Sequence, residues 1–108
     1  MNNNEFLEYH KQCCEKLHQI VTKKNHDYAG FDQQDAFANF SVVEKAGITS
    51  VEIGFLTRMM DKISRVNSFV IQGVTRVEDE KIEDTLLDLA NYSILMAGYI
   101  KSKKKCNS

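Results

Sequence analysis

The sequence predicts an all-α domain of three long helices and one short helix. Three observations predict this fold class: the 108-residue chain has no proline, it has only five glycines, and its apolar residues recur at helical spacing. Proline and glycine interrupt helices more than other residues do, so their scarcity favours long helices. The length of the chain predicts a single domain, which we assign to residues 1–108.

The first long helix is predicted from about Asn4 to Lys24. Its apolar residues follow one helix face and its charged residues the others. The apolar set comprises Phe6, Cys13, Leu17 and Ile20. The next stretch, residues 25–40, is polar and contains Asn, Asp and Gly, so we expect it to end this helix. A short helix is predicted over residues 34–45, and Gly47 is expected to end it.

A capping box predicts that the second long helix begins near Ser50. Thr49 is followed three residues later by Glu52, the spacing at which each side chain accepts from the other residue's backbone N–H. The helix then carries an apolar stripe made of Ile53, Leu56, Met59, Met60, Ile63, Val66 and Phe69. We expect a turn at Gln72 and Gly73 to follow it.

The last helix is predicted from about Arg76 to Lys104, because Thr75 and Glu78 form a second capping box. Its predicted buried face comprises Ile82, Leu86, Leu89, Met96 and Ile100. A run of lysines follows at its end, where the helix dipole favours positive charge.

Composition and charge exclude several classes of function. Fourteen basic and fifteen acidic residues give a net charge of -1, which excludes a general nucleic-acid-binding surface. No apolar run reaches the ~20 residues of a membrane-spanning helix, and the start MNNNEF is not a secretory signal. Three cysteines in no framework spacing favour reduced thiols, so we expect a cytoplasmic protein without membrane partners. A glycine-rich phosphate loop, a nucleophile elbow and a dinucleotide fingerprint are absent from the sequence.

Four charged residues form a stripe on the second long helix. Arg58, Asp61, Lys62 and Arg65 are spaced i, i+3, i+4 and i+7, which places them on one side of the helix. A ladder of surface ion pairs explains such a stripe, because Asp61 can pair with either arginine. The same cations are also suited to hold phosphate groups.

Acidic side chains form a second stripe on the last helix. Glu80, Asp84 and Asp88 are spaced i, i+4 and i+8, and Asn91 and Tyr92 continue the stripe. Stacked carboxylates repel each other, and Asp88 lies among leucines, where an acid is costly unless it is paired or bound to a metal. Two explanations stay open. Cations of the facing helix neutralise the acids in a structural network, or the acids form a Mg²⁺ site with the aspartate of that helix.

The stretch after the first helix has residues suited to a nucleobase. Charged and aromatic residues lie together at its start, namely Lys24, His26, Asp27 and Tyr28, and Phe31, Phe37, Asn39 and Phe40 follow. Aromatic rings stack on flat ligands, and an amide can hydrogen-bond to them. The alternative is that Phe37 and Phe40 anchor this stretch to the core.

These motifs resemble the phage and bacterial family called nucleotide modification associated domain 1. The resemblance covers about Lys23 to Gly98 and rests on KKNHDYAG, AFANF, RMMDKISRVNSF and VEDEKIEDTLLDLANYSILM. That family resembles the all-α MazG-like nucleoside triphosphate pyrophosphohydrolases, relatives of the dimeric dUTPases and dCTP pyrophosphatases. The resemblance implies a helical bundle in the cytoplasm of a bacterial or phage-infected cell. It also implies a homodimer or homotetramer with a nucleotide in a cleft that the partner partly closes.

The resemblance also implies roles for individual residues. MazG-like enzymes hold Mg²⁺ with a Glu-x-x-Glu pair on one helix and a Glu-x-x-Asp pair on the next, and a metal-activated water attacks the α-phosphorus. Asp88 matches the last acid, and Asp61 matches the second acid of the first pair. Arg58 stands in place of the first Glu. The acid three residues before Asp88 is replaced by threonine, which leaves Asp84 or Glu80 to substitute.

The first hypothesis is therefore a Mg²⁺-dependent nucleotide pyrophosphohydrolase. Its residues divide by role: Asp61, Asp84 and Asp88 bind the metal; Glu80 or Glu83 orients the water; Lys24, Arg58, Lys62 and Arg65 bind phosphates; His26, Asp27, Tyr28, Asn39, Asn91 and Tyr92 contact base and sugar. The second hypothesis is a protein that sequesters a nucleotide or nucleotide-derived signal without cleaving it, as a phage protein countering host defence would do. The third is a structural helical oligomer whose charged stripes form interhelical ion pairs.

Overall fold

The computed structural model describes the backbone of residues 1–29, 35–73 and 81–106 and the side chains of residues 1–25, 35–73 and 81–104. It contains four helices: α1 (Asn3–Ala29), α2 (Ala38–Lys45), α3 (Val51–Gln72) and α4 (Ile82–Cys106). No strand occurs within these ranges, so the predicted all-α class with three long helices and one short helix is confirmed. None of the helices in the described ranges is long and apolar enough to cross a membrane.

The first two helices differ from their predicted bounds. α1 continues to Ala29, five residues beyond its predicted end, because Asn and Asp cost a helix interior only a few tenths of a kcal/mol and neither Gly nor Pro intervenes. α2 begins at Ala38 rather than near residue 34. Before it, the side chain of Asp35 accepts a hydrogen bond from the backbone N–H of Phe37 at 2.9 Å. This local bond competes with helical hydrogen bonding and delays the start of the helix.

The start of α3 lies where it was predicted, but its cap is a different residue. Ser50 is the N-cap, and its side chain accepts from the backbone N–H of Ile53 at 3.2 Å. The predicted capping box at Thr49 is therefore wrong by one residue. At the other end, Gly73 has φ +75° and donates its N–H to the carbonyl of Phe69 at 2.7 Å. This left-handed glycine ends α3 and confirms the predicted turn.

α4 begins six residues later than predicted. Lys81 is not helical, and its carbonyl accepts from the backbone N–H groups of Asp84 and Thr85, so it opens the first turn. The predicted start at Arg76 is therefore wrong, and the capping box proposed for Thr75 and Glu78 lies outside the described residues.

Aromatic side chains form the centre of the core. Phe40, Val51 and Phe55 are buried, and the rings of Phe40 and Phe55 stack with their centroids 4.4 Å apart. Tyr92 of α4 meets the Phe40 ring edge-on at 6.4 Å, and Phe37 meets Tyr99 at 5.7 Å. Phe37 and Phe40 thus anchor the start of α2 to α3 and α4, which confirms the core alternative for these two residues.

The helices α3 and α4 pack antiparallel. Glu52 pairs with Lys103 at 3.6 Å, and ten residues along α3 Lys62 pairs with Asp88 at 3.5 Å. The predicted buried face of α4 is wrong at two positions, since Leu86 is 46% exposed and Ile100 is 39% exposed. Thr85 and Asn91 are buried instead, and Tyr92 and Tyr99 are partly buried against the core. Apolar residues lie on several sides of α4, so contact with the aromatic core decides which side is buried.

Candidate functional site

Three charged side chains from three helices meet at one point. The Asp88 carboxylate of α4 lies with Oδ1 3.9 Å from Lys24 Nζ of α1 and with Oδ2 3.5 Å from Lys62 Nζ of α3. The Lys62 side chain is 17% exposed, that of Asp88 29% and that of Lys24 48%. We call these three residues the lysine–aspartate site. It is open to solvent at Lys24 and largely enclosed at Lys62.

The lysine–aspartate site has one positive charge in excess. Two ammonium groups share a single carboxylate, and an ammonium carries three N–H donors, so one carboxylate cannot use them all. The partial burial of Lys62 weakens the screening of its charge by water. A phosphate placed between Lys24 and Lys62 would neutralise the excess charge and accept the remaining donors. The arrangement is therefore suited to binding a phosphate-bearing anion.

The other two aspartates of the predicted metal site are paired elsewhere. Asp61 lies 3.4 Å from Arg65 one turn along α3, and Asp84 lies 3.3 Å from Lys16 of α1. Both carboxylates are more than half exposed. Within the described ranges, no group of three His, Cys, Asp or Glu side chains is placed to hold a metal ion. The described acids do not by themselves fit a Mg²⁺ site. Glu80 lies outside the described residues, so the magnesium site stays a prediction.

The structure separates the predicted phosphate-binding residues into two sets. Lys24 and Lys62 converge on Asp88, whereas Arg65 pairs with Asp61 and Arg58 is exposed on α3. The predicted network of ion pairs between α3 and α4 is thus present at Lys62.

The predicted base- and sugar-binding residues are also divided. Asn91 is 4% exposed and donates one amide N–H to the carbonyl of Leu17 at 3.2 Å, and Tyr92 packs against the aromatic core. Asn39 is exposed. The side chains of His26, Asp27 and Tyr28 lie outside the described residues. Of the proposed water-orienting acids, Glu83 is exposed in the first turn of α4 and Glu80 falls in the range that is not described.

Two features of the site were not predicted. The first is the pairing of α1 with α4, which brings Lys24 to Asp88 and Lys16 to Asp84. The second is a cavity of about 330 Å³ between these helices, next to Phe37. The residues that line it recur at helical spacing on both helices, for example Leu17 and Val21 on α1. This spacing is the only feature of the sequence that points to the cavity. It does not show that α1 and α4 are the helices that face each other across it.

Away from the lysine–aspartate site, the pKa values of two tyrosines among the described residues are raised, those of Tyr9 and Tyr99. Burial raises the pKa of the Tyr99 phenol, and the negative charge of Glu52 raises it further. Both effects disfavour the phenolate, so Tyr99 is held as a neutral core residue rather than an acid or base.

The model of the family described as nucleotide modification associated domain 1 matches residues 24–98 of the chain. The matched range begins at Lys24 and contains Lys62 and Asp88, and therefore the whole lysine–aspartate site. No curated protein and no solved structure matches the chain.

Proposed function

We propose, on the premise that this chain belongs to the nucleotide modification associated domain 1 family, that it binds a nucleoside triphosphate. The observation that carries the proposal is the convergence of Lys24 and Lys62 on Asp88, 3.9 Å and 3.5 Å away. The description of the family names nucleotide modification, and phosphate is the part of a nucleotide that an excess of ammonium groups recognises.

Each residue of the lysine–aspartate site has a distinct part in this proposal. Lys62, largely enclosed by α3 and α4, contacts the phosphates with a weakly screened charge. Lys24 is half exposed and closes on the phosphates from the side of α1. Asp88 holds both ammonium groups in place before the ligand arrives, which lowers the conformational cost of binding.

Pyrophosphohydrolysis is the second candidate function. It is favoured by the contact between Lys62 and Asp88, because this contact joins the two motifs through which the chain resembles the MazG-like enzymes. In this reaction water attacks the α-phosphorus, the bond from that phosphorus to the bridging oxygen breaks, and a nucleoside monophosphate, pyrophosphate and a proton are released. Glu83 or Glu80 would orient the water, and Lys62 would stabilise the charge that develops on the phosphates. Because the described acids do not group around a metal, no step is assigned to Mg²⁺.

Calorimetric titration with each of the four deoxynucleoside triphosphates, with and without Mg²⁺, tests the proposal. We expect Lys62→Gln to weaken binding at least tenfold, because it removes a charge-assisted contact of about 1.5–3 kcal/mol. Lys101→Gln is the matched control, since Lys101 is an exposed lysine of α4. An assay for pyrophosphate in the same samples separates the two candidates. Release of pyrophosphate supports hydrolysis, and binding without release supports a nucleotide-sequestering protein.

We also propose that the protein forms a homodimer along α3. Four apolar side chains of this helix, Ile53, Leu56, Met60 and Ile63, are between 42% and 57% exposed. Their spacing of three, four and three residues is that of the seam of a coiled coil.

Light scattering over a range of protein concentrations tests the homodimer. Met60→Glu places a charge in the stripe and should yield a monomer. Leu7→Glu is the matched control, because Leu7 and Met60 are both 57% exposed but Leu7 belongs to α1. A wild-type protein that is monomeric at all concentrations would contradict this proposal. So would a dimer that dissociates with Leu7→Glu but not with Met60→Glu.

A further inference from the structure

The cavity between α1 and α4 ends one helical turn from the lysine–aspartate site. It has a volume of about 330 Å³, and its lining includes Leu17 and Val21 of α1, Phe37, and Asn91, Leu95 and Gly98 of α4. We propose that this cavity receives the base of the nucleotide whose phosphates lie at the lysine–aspartate site. The inference rests on the proposed function and adds to it where the heterocycle binds.

The first argument is the position of the cavity on both helices. Val21 of the cavity precedes Lys24 by three residues on α1, and Asn91 of the cavity follows Asp88 by three residues on α4. Three residues correspond to about 4.5 Å along a helix axis. On each helix, therefore, one turn separates the residue that lines the cavity from the charged residue. A ligand that spans both must carry a flat apolar part and an anionic part joined by a short linker, as a nucleotide does through its sugar.

The second argument is the chemistry of the walls. They are mostly apolar, with the Phe37 ring on one side, and such walls favour a flat aromatic ligand. His18 and Asn91 are the polar exceptions, and Asn91 is buried, with 4% of its surface exposed, yet lines the cavity. One of its N–H groups is donated to Leu17. Among the described residues, none bonds to its second N–H or to its carbonyl oxygen.

The Asn91 amide can therefore offer its second N–H and its carbonyl oxygen to a ligand in the cavity. The edge of every nucleobase presents a hydrogen-bond donor beside an acceptor, which matches the two groups that Asn91 has left. The size of the cavity sets a limit as well. Its 330 Å³ lies at the lower end of the range for small-molecule sites, about 300–1,000 Å³. This size is suited to a single base.

Filling the cavity tests the inference without altering a charge. A Cβ atom at Gly98 would lie 3.5 Å from Phe37 Cζ, an ordinary contact, so Gly98→Leu extends a side chain into the space beside that ring. Ala97→Leu is the matched control, because Ala97 precedes it on α4 and is exposed. Val21→Phe fills the same cavity from α1 and replaces Gly98→Leu if that variant does not fold, as judged by circular dichroism. The probes are the four deoxynucleoside triphosphates and inorganic tripolyphosphate.

We expect Gly98→Leu to weaken the binding of at least one deoxynucleoside triphosphate tenfold or more and to leave the affinity for tripolyphosphate unchanged. Ala97→Leu should change neither affinity. If Gly98→Leu and Val21→Phe bind nucleotides as the wild type does, the base lies elsewhere and the inference is overturned, while the proposed function stands. If the wild type binds neither nucleotides nor tripolyphosphate, the proposed function fails and this inference fails with it.

Discussion

Lys62 Nζ lies 3.5 Å from Asp88 Oδ2, and this ion pair joins α3 to α4 where the two charged stripes of the sequence meet. Because Lys24 of α1 reaches the other oxygen of the same carboxylate, Asp88 links three helices through one side chain. The pair is also the least exposed of the described ion pairs that connect two helices. Its removal should therefore affect stability as well as binding.

Replacing Asp88 should destabilise the fold more than replacing its neighbour Asp84. Asp88→Asn leaves the largely enclosed Lys62 ammonium without its carboxylate, and we expect a loss of about 1–3 kcal/mol in the free energy of unfolding. Asp84 pairs with Lys16 in an exposed contact, so Asp84→Asn should cost less than about 1 kcal/mol. Urea denaturation of both variants measures the difference. Equal losses would show that the burial of Lys62 contributes nothing.

The core should depend on Phe55 more than on any exposed apolar residue. Phe55 is fully buried and stacks on Phe40, so we expect Phe55→Ala to cost about 3–5 kcal/mol through lost burial and the cavity left behind. Val42→Ala is the control, since Val42 is 55% exposed and should change stability by no more than about 0.5 kcal/mol. Thermal unfolding followed by circular dichroism ranks the two variants. A smaller loss of stability in Phe55→Ala than in Val42→Ala would contradict the aromatic core.

Two glycines should respond in opposite directions to the same substitution. Gly73 has φ +75°, so Gly73→Ala forces a side chain into the left-handed region and should cost about 1–2 kcal/mol. Gly98 is helical, and a Cβ there meets Phe37 at an ordinary distance, so Gly98→Ala should stabilise the protein by up to about 1 kcal/mol. Chemical denaturation of the two variants gives the sign of each change in the free energy of unfolding. Stabilisation by Gly73→Ala would refute the assigned cap of α3.

Stability should fall above pH 10 through Tyr99. The pKa of this phenol is raised in the folded protein above its ordinary value of 10.0, chiefly by burial and then by Glu52. The stability that this raised pKa contributes is therefore complete below pH 10. It is lost as the pH rises through the pKa that Tyr99 has in the folded protein, because the unfolded chain releases the proton more readily. Tyr99→Phe should remove this part of the pH dependence. Denaturation of both proteins between pH 8 and 12, as an order-of-magnitude window around the ordinary value, makes the comparison. Parallel pH profiles for wild type and variant would exclude this role for Tyr99.

Helical periodicity and glycine placement predict most of the fold but not how the helices pair. The apolar spacing and Gly73 correctly predict α3 and its end, because both signals are local. The pairing of Lys24 with Asp88 joins residues 64 positions apart, and no local pattern contains that information. The place of Asn91 on the acidic stripe predicted that it contacts the ligand. Its burial and its hydrogen bond to Leu17 could not be predicted in this way, because they depend on α1 crossing α4. The apolar stripe of α3 was predicted, but the exposure of Ile53, Leu56, Met60 and Ile63 follows from the aromatic core lying on another side of the helix.

The most direct test of the lysine–aspartate site is the affinity of the full chain for inorganic tripolyphosphate, compared among Lys24→Gln, Lys62→Gln and the double variant. This probe has no base, so it isolates the contacts that the two ammonium groups make. We predict roughly tenfold weaker binding for each single variant and no measurable binding for the double variant, in line with about 1.4 kcal/mol for each tenfold step. Unchanged affinity in the double variant would contradict the account, because phosphate would then bind without either lysine.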